Sequence, residues 1–111
     1  MDAQEIVVFV TIGSLQDGAK IGRELIEKKL GACVNLLPHM TSIFCWDGKV
    51  TEEEECLMII KTRKENYQNL EEAVRSLHPY EVPEIIALPI TQGFPGYLAW
   101  VKESTQTNEE S

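Results

Sequence analysis

Thr41-Ser42-Ile43-Phe44-Cys45-Trp46-Asp47-Gly48-Lys49-Val50 is the stretch on which the fold turns. Asp-Gly between two extended arms is a strong hairpin signal, because a tight turn of this kind needs positive φ at both central positions. The arm before the turn reaches back through Ala32-Cys33-Val34-Asn35-Leu36-Leu37. The arm after it starts near Lys49 and runs on through Cys56-Leu57-Met58-Ile59-Ile60-Lys61-Thr62. Both are longer than the usual strand of about 5–6 residues. Their outer parts project beyond a small core and need something else to pack against. Pro38 cannot donate to a sheet ladder, so it marks a bulge or an edge in the first arm.

Upstream, Ile6-Val7-Val8-Phe9-Val10-Thr11-Ile12 reads as a buried strand bounded by Gly13. Ser14 offers a side-chain oxygen as helix N-cap, and Asp17 suits the positive end of the helix dipole. The helix then runs to about Leu30, with Ile21, Leu25, Ile26 and Leu30 near a 3.6-residue period. Lys28 and Lys29 complement its C-terminal end, and Gly31 is read as its left-handed stop. Downstream, a second helix is expected over about Arg63 to Leu77, with Tyr67, Leu70, Val74 and Leu77 as its buried stripe. His78-Pro79 ends it. A strand over Ile85 to Ile90 follows, then a Gly- and Pro-containing loop. A short helix from Tyr97 to about Glu103 sets Tyr97, Trp100 and Val101 on one side.

The order is β-α-β-β-α-β plus a C-terminal helix. Right-handed crossovers then force the split βαβ arrangement, an α+β ferredoxin-like architecture with a four-stranded antiparallel sheet and both long helices on one face. Residues 1–104 are expected to form this single domain and 105–111 a polar, flexible tail. Val7 to Val10 and Leu57 to Ile60 are apolar at consecutive positions, so both faces of the sheet need cover. One chain of this length has no second helical layer, which points to oligomerisation through the open sheet face or the overlong hairpin.

Composition narrows the function. The chain of 111 residues carries 10 Lys+Arg against 18 Asp+Glu, a formal charge of −8. Nucleic acid and anionic membranes are poor partners for it, since both demand a basic face. No apolar run approaches the roughly 20 residues of a membrane-spanning helix. The acidic start Met1-Asp2-Ala3-Gln4-Glu5 lacks the pattern of a signal peptide, and a cytoplasmic location is expected. Three cysteines without a pairing motif, Cys33, Cys45 and Cys56, argue against a disulfide framework. Glu52-Glu53-Glu54-Glu55 alternates between faces of its strand, so it reads as a solvated or edge-protecting run rather than one ion site.

The densest polar and aromatic cluster is His78-Pro79-Tyr80-Glu81-Val82-Pro83-Glu84. His78 suits a divalent transition metal through a ring nitrogen, with Glu81 and Glu84 adding carboxylate oxygens. The competing structural reading has His78 capping the helix and bonding its last carbonyls. With two histidines and no paired ligand motif, any metal site has to borrow ligands across an interface. Cys33 lies mid-strand rather than at a helix N-terminus, and no phosphate-cradling glycine loop is present. No catalytic apparatus is visible and no obligatory cofactor is implied. Phe44, Trp46, Tyr80, Tyr97 and Trp100, with Lys61 and the glutamates near them, suit either a small-ligand cleft or a subunit interface.

Taken together, Ala32-Cys33-Val34-Asn35 with Pro38, Trp46-x-Gly48-Lys49, Lys61-Thr62, His78-Pro79-Tyr80-Glu81-Val82-Pro83-Glu84 and Tyr97-Leu98-x-Trp100 resemble the CutA family of divalent-cation tolerance proteins, in order and spacing over residues 6 to 102. The resemblance implies a homotrimer of ferredoxin-like subunits, similar in architecture to the PII signalling proteins, in which the hairpin arms extend into a neighbouring subunit. It implies tolerance of divalent metals, copper above all, and no enzymatic reaction. It also implies a lateral cleft between subunits lined by Cys33, Phe44, Trp46, Lys61, Tyr80, Glu84, Tyr97 and Trp100, open to Cu(II), another divalent cation or a small ligand. The metal candidates remain His78 and Glu81, from the residue chemistry of their own segment. Val10 and Leu77 stand where some bacterial relatives carry a cysteine and a second histidine, so copper binding is expected to be weaker here, and Phe44 replaces a frequent tyrosine, which removes one hydroxyl partner from the cleft.

Overall fold

Asp47 and Gly48 take φ of 52° and 75°, closing the long hairpin with the two-residue turn that the sequence predicts. The computed structural model describes residues 3–107. Its elements are β1 (Glu5–Ile12), α1 (Leu15–Glu27), β2 (Cys33–Trp46), β3 (Lys49–Arg63), a 3-10 turn (Lys64–Asn66), α2 (Tyr67–Leu77), β4 (Ile85–Pro89) and α3 (Pro95–Ser104). The strands form one sheet in the order β2-β3-β1-β4, with every neighbouring pair antiparallel. The expected α+β architecture, a four-stranded antiparallel sheet with three helices, is therefore present.

Alternation along β1 and β3 divides the sheet into two faces. Val8, Val10 and Ile12 pair with Ile60, Met58 and Cys56, and all six are buried against Ile21 and Leu25 of α1 and Leu70 and Val74 of α2. A fully buried side chain of this kind contributes about 1.5–3 kcal/mol relative to an exposed one. Val7, Phe9, Leu57 and Ile59 point to the opposite face and are only partly covered. In α1, Ser14 caps as expected, its Oγ accepting from the Asp17 N–H at 3.1 Å.

The end of α1 differs from expectation. Lys29, not Gly31, adopts the left-handed conformation, with φ of 60°. Gly31 serves close approach instead. A Cβ there would lie 3.1 Å from Cγ2 of Ile60, tighter than ordinary van der Waals contact. The second helix also begins later than expected, because Lys64–Asn66 forms a 3-10 turn first.

Pro38 does mark a bulge. The β2–β3 register passes from Leu37↔Leu57 to Met40↔Glu55, so Pro38 and His39 together oppose Cys56. His39 takes φ of 62°.

Thr105, expected in the polar tail, is 1% exposed. Its hydroxyl accepts from Arg63 Nε at 2.9 Å and donates to the Val101 carbonyl at 2.9 Å, while its own carbonyl accepts from Arg63 Nη2 at 2.9 Å. Arg63 alternates with Thr62, whose hydroxyl bonds the Leu30 carbonyl after α1. So α3 is pinned on the face opposite α1 and α2, and Val101 is buried there. The chain thus supplies a partial second layer of its own. The remaining tail, 108–111, lies outside the described residues.

Candidate functional site

The bulge decides which side chains share the open face. Before it, Cys33, Asn35 and Leu37 of β2 pair with Lys61, Ile59 and Leu57. One extra residue then reverses the parity. Beyond the bulge Met40, Ser42, Phe44 and Trp46 pair with Glu55, Glu53, Thr51 and Lys49. Directly paired residues lie on one face of a sheet, so Phe44 and Trp46 are brought to the same face as Cys33 and Lys61. Without the extra residue a strict alternation of two would send them to the other side.

Four of the eight expected cleft residues meet around one spot. Lys61 stands opposite Cys33, and its ammonium donates to the Asn35 amide oxygen. The Cys33 thiol points at the same oxygen at 3.8 Å. On α3, Tyr97 and Trp100 stack with ring centroids 5.6 Å apart at 35°. Burial raises the Tyr97 phenol above its ordinary pKa, and the nearby Cys33 sulfur adds to the rise. Cys33, Asn35, Lys61, Tyr97 and Trp100 therefore form one polar and aromatic patch at the α3 end of the open face.

Phe44 and Trp46 share that face but lie out along the arm, where Trp46 is 68% and Val50 81% exposed. The molecule spans 49 Å in its longest dimension. The chain alone does not bring these two aromatics to the patch.

Tyr80 and Glu84 fall in the loop between α2 and β4. The Tyr80 hydroxyl donates to Glu55 Oε2 at 3.2 Å. Glu55, one of the run of four glutamates, is consequently buried while Glu52, Glu53 and Glu54 are exposed. Burial raises the Tyr80 phenol, with the charges of Glu55 and Glu53 raising it further. Glu81 and Glu84 are exposed.

His78 is 8% exposed. Its Nδ1 accepts from the Tyr80 backbone N–H at 3.1 Å, which requires Nε2 to carry the proton, and Nε2 donates to the Thr11 carbonyl at 2.7 Å. Its ring also packs on Tyr80, centroids 4.7 Å apart. The metal expectation for His78 therefore meets a ring with no lone pair left for an ion. The structural alternative fits better, though the carbonyl bonded belongs to β1 rather than to the helix. Among the described residues no group of three or more His, Cys, Asp or Glu is placed to hold a metal ion. His39 pairs instead with Glu54 (Nδ1 to Oε1, 3.2 Å), beside a cleft of about 320 Å³ at the start of α1.

Sequence reasoning gave no site role to three residues of this arrangement: Asn35, Glu55 and Thr11. A polar Asn35 inside an apolar strand was the one readable signal. The other two act through partners distant in sequence.

A model of the CutA1 divalent ion tolerance protein family matches residues 6–104. Protein CutA of Mus musculus is 50% identical over 103 residues, covering 93% of this chain and 58% of that protein. The chain thus spans little more than half the length of that relative. The divalent-cation tolerance protein CutA of Thermus thermophilus is 46% identical over 101 residues, covering 91% of this chain and 98% of that protein. Among solved structures, CutA1 from Oryza sativa superposes with a TM-score of 0.91 at 43% identity, over 96% of this chain and 98% of that one. The Thermus thermophilus protein gives 0.89 at 45%, over 92% and 99%.

Proposed function

The chain belongs to the CutA1 divalent ion tolerance family, and from that premise we propose that it is a homotrimeric binding module in the response to divalent cations, copper first among them. No catalysis is assigned to it. The relatives are named for tolerance of divalent ions. One observation carries the assembly. The open face leaves Leu37, Ile86 and Leu88 about half exposed beside a projecting hairpin with bare Ile43, Trp46 and Val50. An apolar face of this kind, continuous with an unsupported arm, is what a neighbouring copy covers.

In this reading the single domain ends at the Thr105 clasp rather than at residue 104, and it works in the cytoplasm. Phe44 and Trp46 of one copy close the patch of Cys33, Lys61, Tyr97 and Trp100 on the next, with Tyr80 and Glu84 at the rim. Glu81, exposed in its loop, is available to a cation, whereas the His78 ring is already committed. Exposed carboxylates hold Cu(II) less tightly than an imidazole does, so binding is modest.

Native mass spectrometry without and with one equivalent of Cu(II) per chain tests the proposal. A trimer taking up a small integer number of ions is the expected result. A trimer with a broad ladder of adducts would place the ions on surface carboxylates and leave a scaffold whose aromatic cleft is only the seam. A monomer would sink the assembled reading.

A further inference from the structure

The patch at the α3 end carries a second inference, resting on the cleft proposed above. Lys61 stands mid-strand, paired with Val7 of β1 on one side and Cys33 of β2 on the other, with Ile59 next along the face. Its ammonium meets the neutral amide of Asn35, and among the described residues no carboxylate lies within ion-pair distance of it. The two charged side chains nearest to it along the same face of β3 are already engaged, and Glu53 lies farther out on the exposed arm, opposite Ser42. Glu55 takes the Tyr80 hydroxyl, while Arg63 holds Thr105 and pairs with Glu65 at 2.7 Å. A half-buried cation among apolar neighbours carries a desolvation cost, and no charged group among the described residues offsets it.

The groups around Lys61 are donors. Asn35 turns its oxygen to the ammonium, which leaves its NH₂ for something else. Tyr97 contributes an O–H, protonated at neutral pH with burial raising its pKa further, while the Cys33 S–H is directed at the Asn35 oxygen. Trp100 adds an indole N–H and, with Tyr97, a flat wall. Positive charge with convergent donors complements an oxyanion and repels a free divalent cation. We propose that the ligand of this cleft is a small oxyanion, a carboxylate or phosphate group, held by Lys61 and Asn35 against the Tyr97–Trp100 wall, and that the divalent cation is met elsewhere. The oxyanion is either a free solute or a carboxylate of the adjoining copy.

The test titrates inorganic phosphate at constant ionic strength into the wild-type protein, Lys61→Gln and Lys61→Arg. Tryptophan fluorescence reports binding, and native mass spectrometry reports assembly. If the anion is free, phosphate saturates at one site per chain. Lys61→Gln then weakens it by about tenfold or more, and Lys61→Arg, which keeps charge and donors, restores it to within about threefold. If the adjoining copy supplies it, phosphate does nothing to the wild type, Lys61→Gln dissociates the oligomer and Lys61→Arg does not. Phosphate binding indifferent to Lys61 would overturn the proposal. So would a Lys61→Gln protein that assembles normally while the wild type ignores phosphate. A monomer with Lys61-dependent phosphate binding would defeat the assembled-cleft reading and leave the oxyanion standing. A trimer that binds Cu(II) with no Lys61-dependent response would do the reverse.

Discussion

His78 Nε2 donates to the carbonyl oxygen of Thr11 across 2.7 Å, joining the end of α2 to the end of β1. Beyond the Tyr80–Glu55 bond the loop after α2 is exposed at Pro79, Tyr80, Glu81, Val82 and Glu84. Removing the imidazole leaves a buried carbonyl and a backbone N–H without partners. His78→Ala should therefore destabilise the fold by about 2–4 kcal/mol in urea unfolding. The number of Cu(II) ions bound per chain should stay the same, as counted by native mass spectrometry. A variant of full stability that loses copper would reverse the assignment.

Arg63 and Thr105 form the second long-range clasp. Two of the three guanidinium nitrogens are committed to Thr105, and the third to Glu65. Thr105→Val keeps the shape and deletes the acceptor for Arg63 Nε. The expected cost is about 1–3 kcal/mol, because a buried charged donor loses its partner. Amide exchange should quicken through α3 and leave α1 and α2 unchanged. Uniform loosening of all three helices would count against a local clasp.

At the end of α1, Lys29 is held at φ of 60°, a region that costs a residue with a Cβ. Lys29→Gly should stabilise the protein by about 0.5–1 kcal/mol. Gly31→Ala should destabilise it, since the new methyl meets Ile60 Cγ2 at 3.1 Å. Thermal unfolding of the two single variants decides the matter by their opposite signs.

The contrast between Lys29 and Gly31 shows where sequence reading reaches its limit here. Local signals were legible: the Asp47-Gly48 turn, the Ser14 cap, the helix stripes and the Pro38 bulge each arise from neighbours in the chain. The element order and the handedness of crossovers then gave the sheet. What escaped depends on approach between distant segments. Gly31 looks like a helix stop until Ile60 is known to lie above it. His78 looks like a metal ligand until Thr11, 67 residues away, is found at its ring nitrogen. Of the site, the residues were named through the family resemblance, whereas the Lys61–Cys33 pairing depends on the extra residue at the bulge, since the Asp47-Gly48 turn alone would set Cys33 opposite Thr62. The distance of Phe44 and Trp46 from that pair was not legible either, because it depends on a hairpin longer than the core.

Tyr67 gives the fold an alkaline limit. Burial, reinforced by the nearby Glu71 carboxylate, raises its phenol to about 12, and its hydroxyl also donates to the Ile85 carbonyl at 3.4 Å. An unfolded tyrosine ionises near 10. The folded state thus favours the protonated phenol. Its stabilising contribution is complete below pH 10 and is lost as pH rises from 10 towards 12. Urea midpoints should fall across that window in the wild type and fall less in Tyr67→Phe. Ultraviolet titration should show one of the three tyrosines ionising last, and that step should be absent from the variant. Three phenols titrating together at 10 would contradict this.

The bulge at Pro38 and His39 offers the sharpest separation of folding from assembly. It lies beyond the last core pairs of β2, so deleting His39 leaves Cys33 to Leu37 in register with β3. Every β2 residue from Met40 to Trp46 then changes face. Phe44 and Trp46 move from the side of Cys33 and Lys61 to the side of the helices, and Ile43 and Cys45 replace them. The core of Val8, Val10, Met58 and Ile60 is untouched, so far-ultraviolet circular dichroism should stay native. Assembly, by contrast, should fail or weaken by orders of magnitude in sedimentation velocity, since the aromatics that would meet a neighbour now face away. A His39 deletion that sediments like the wild type would show that the arm's aromatics do not contribute to the seam, and with that the closure of the Lys61 cleft by a neighbouring hairpin would fall.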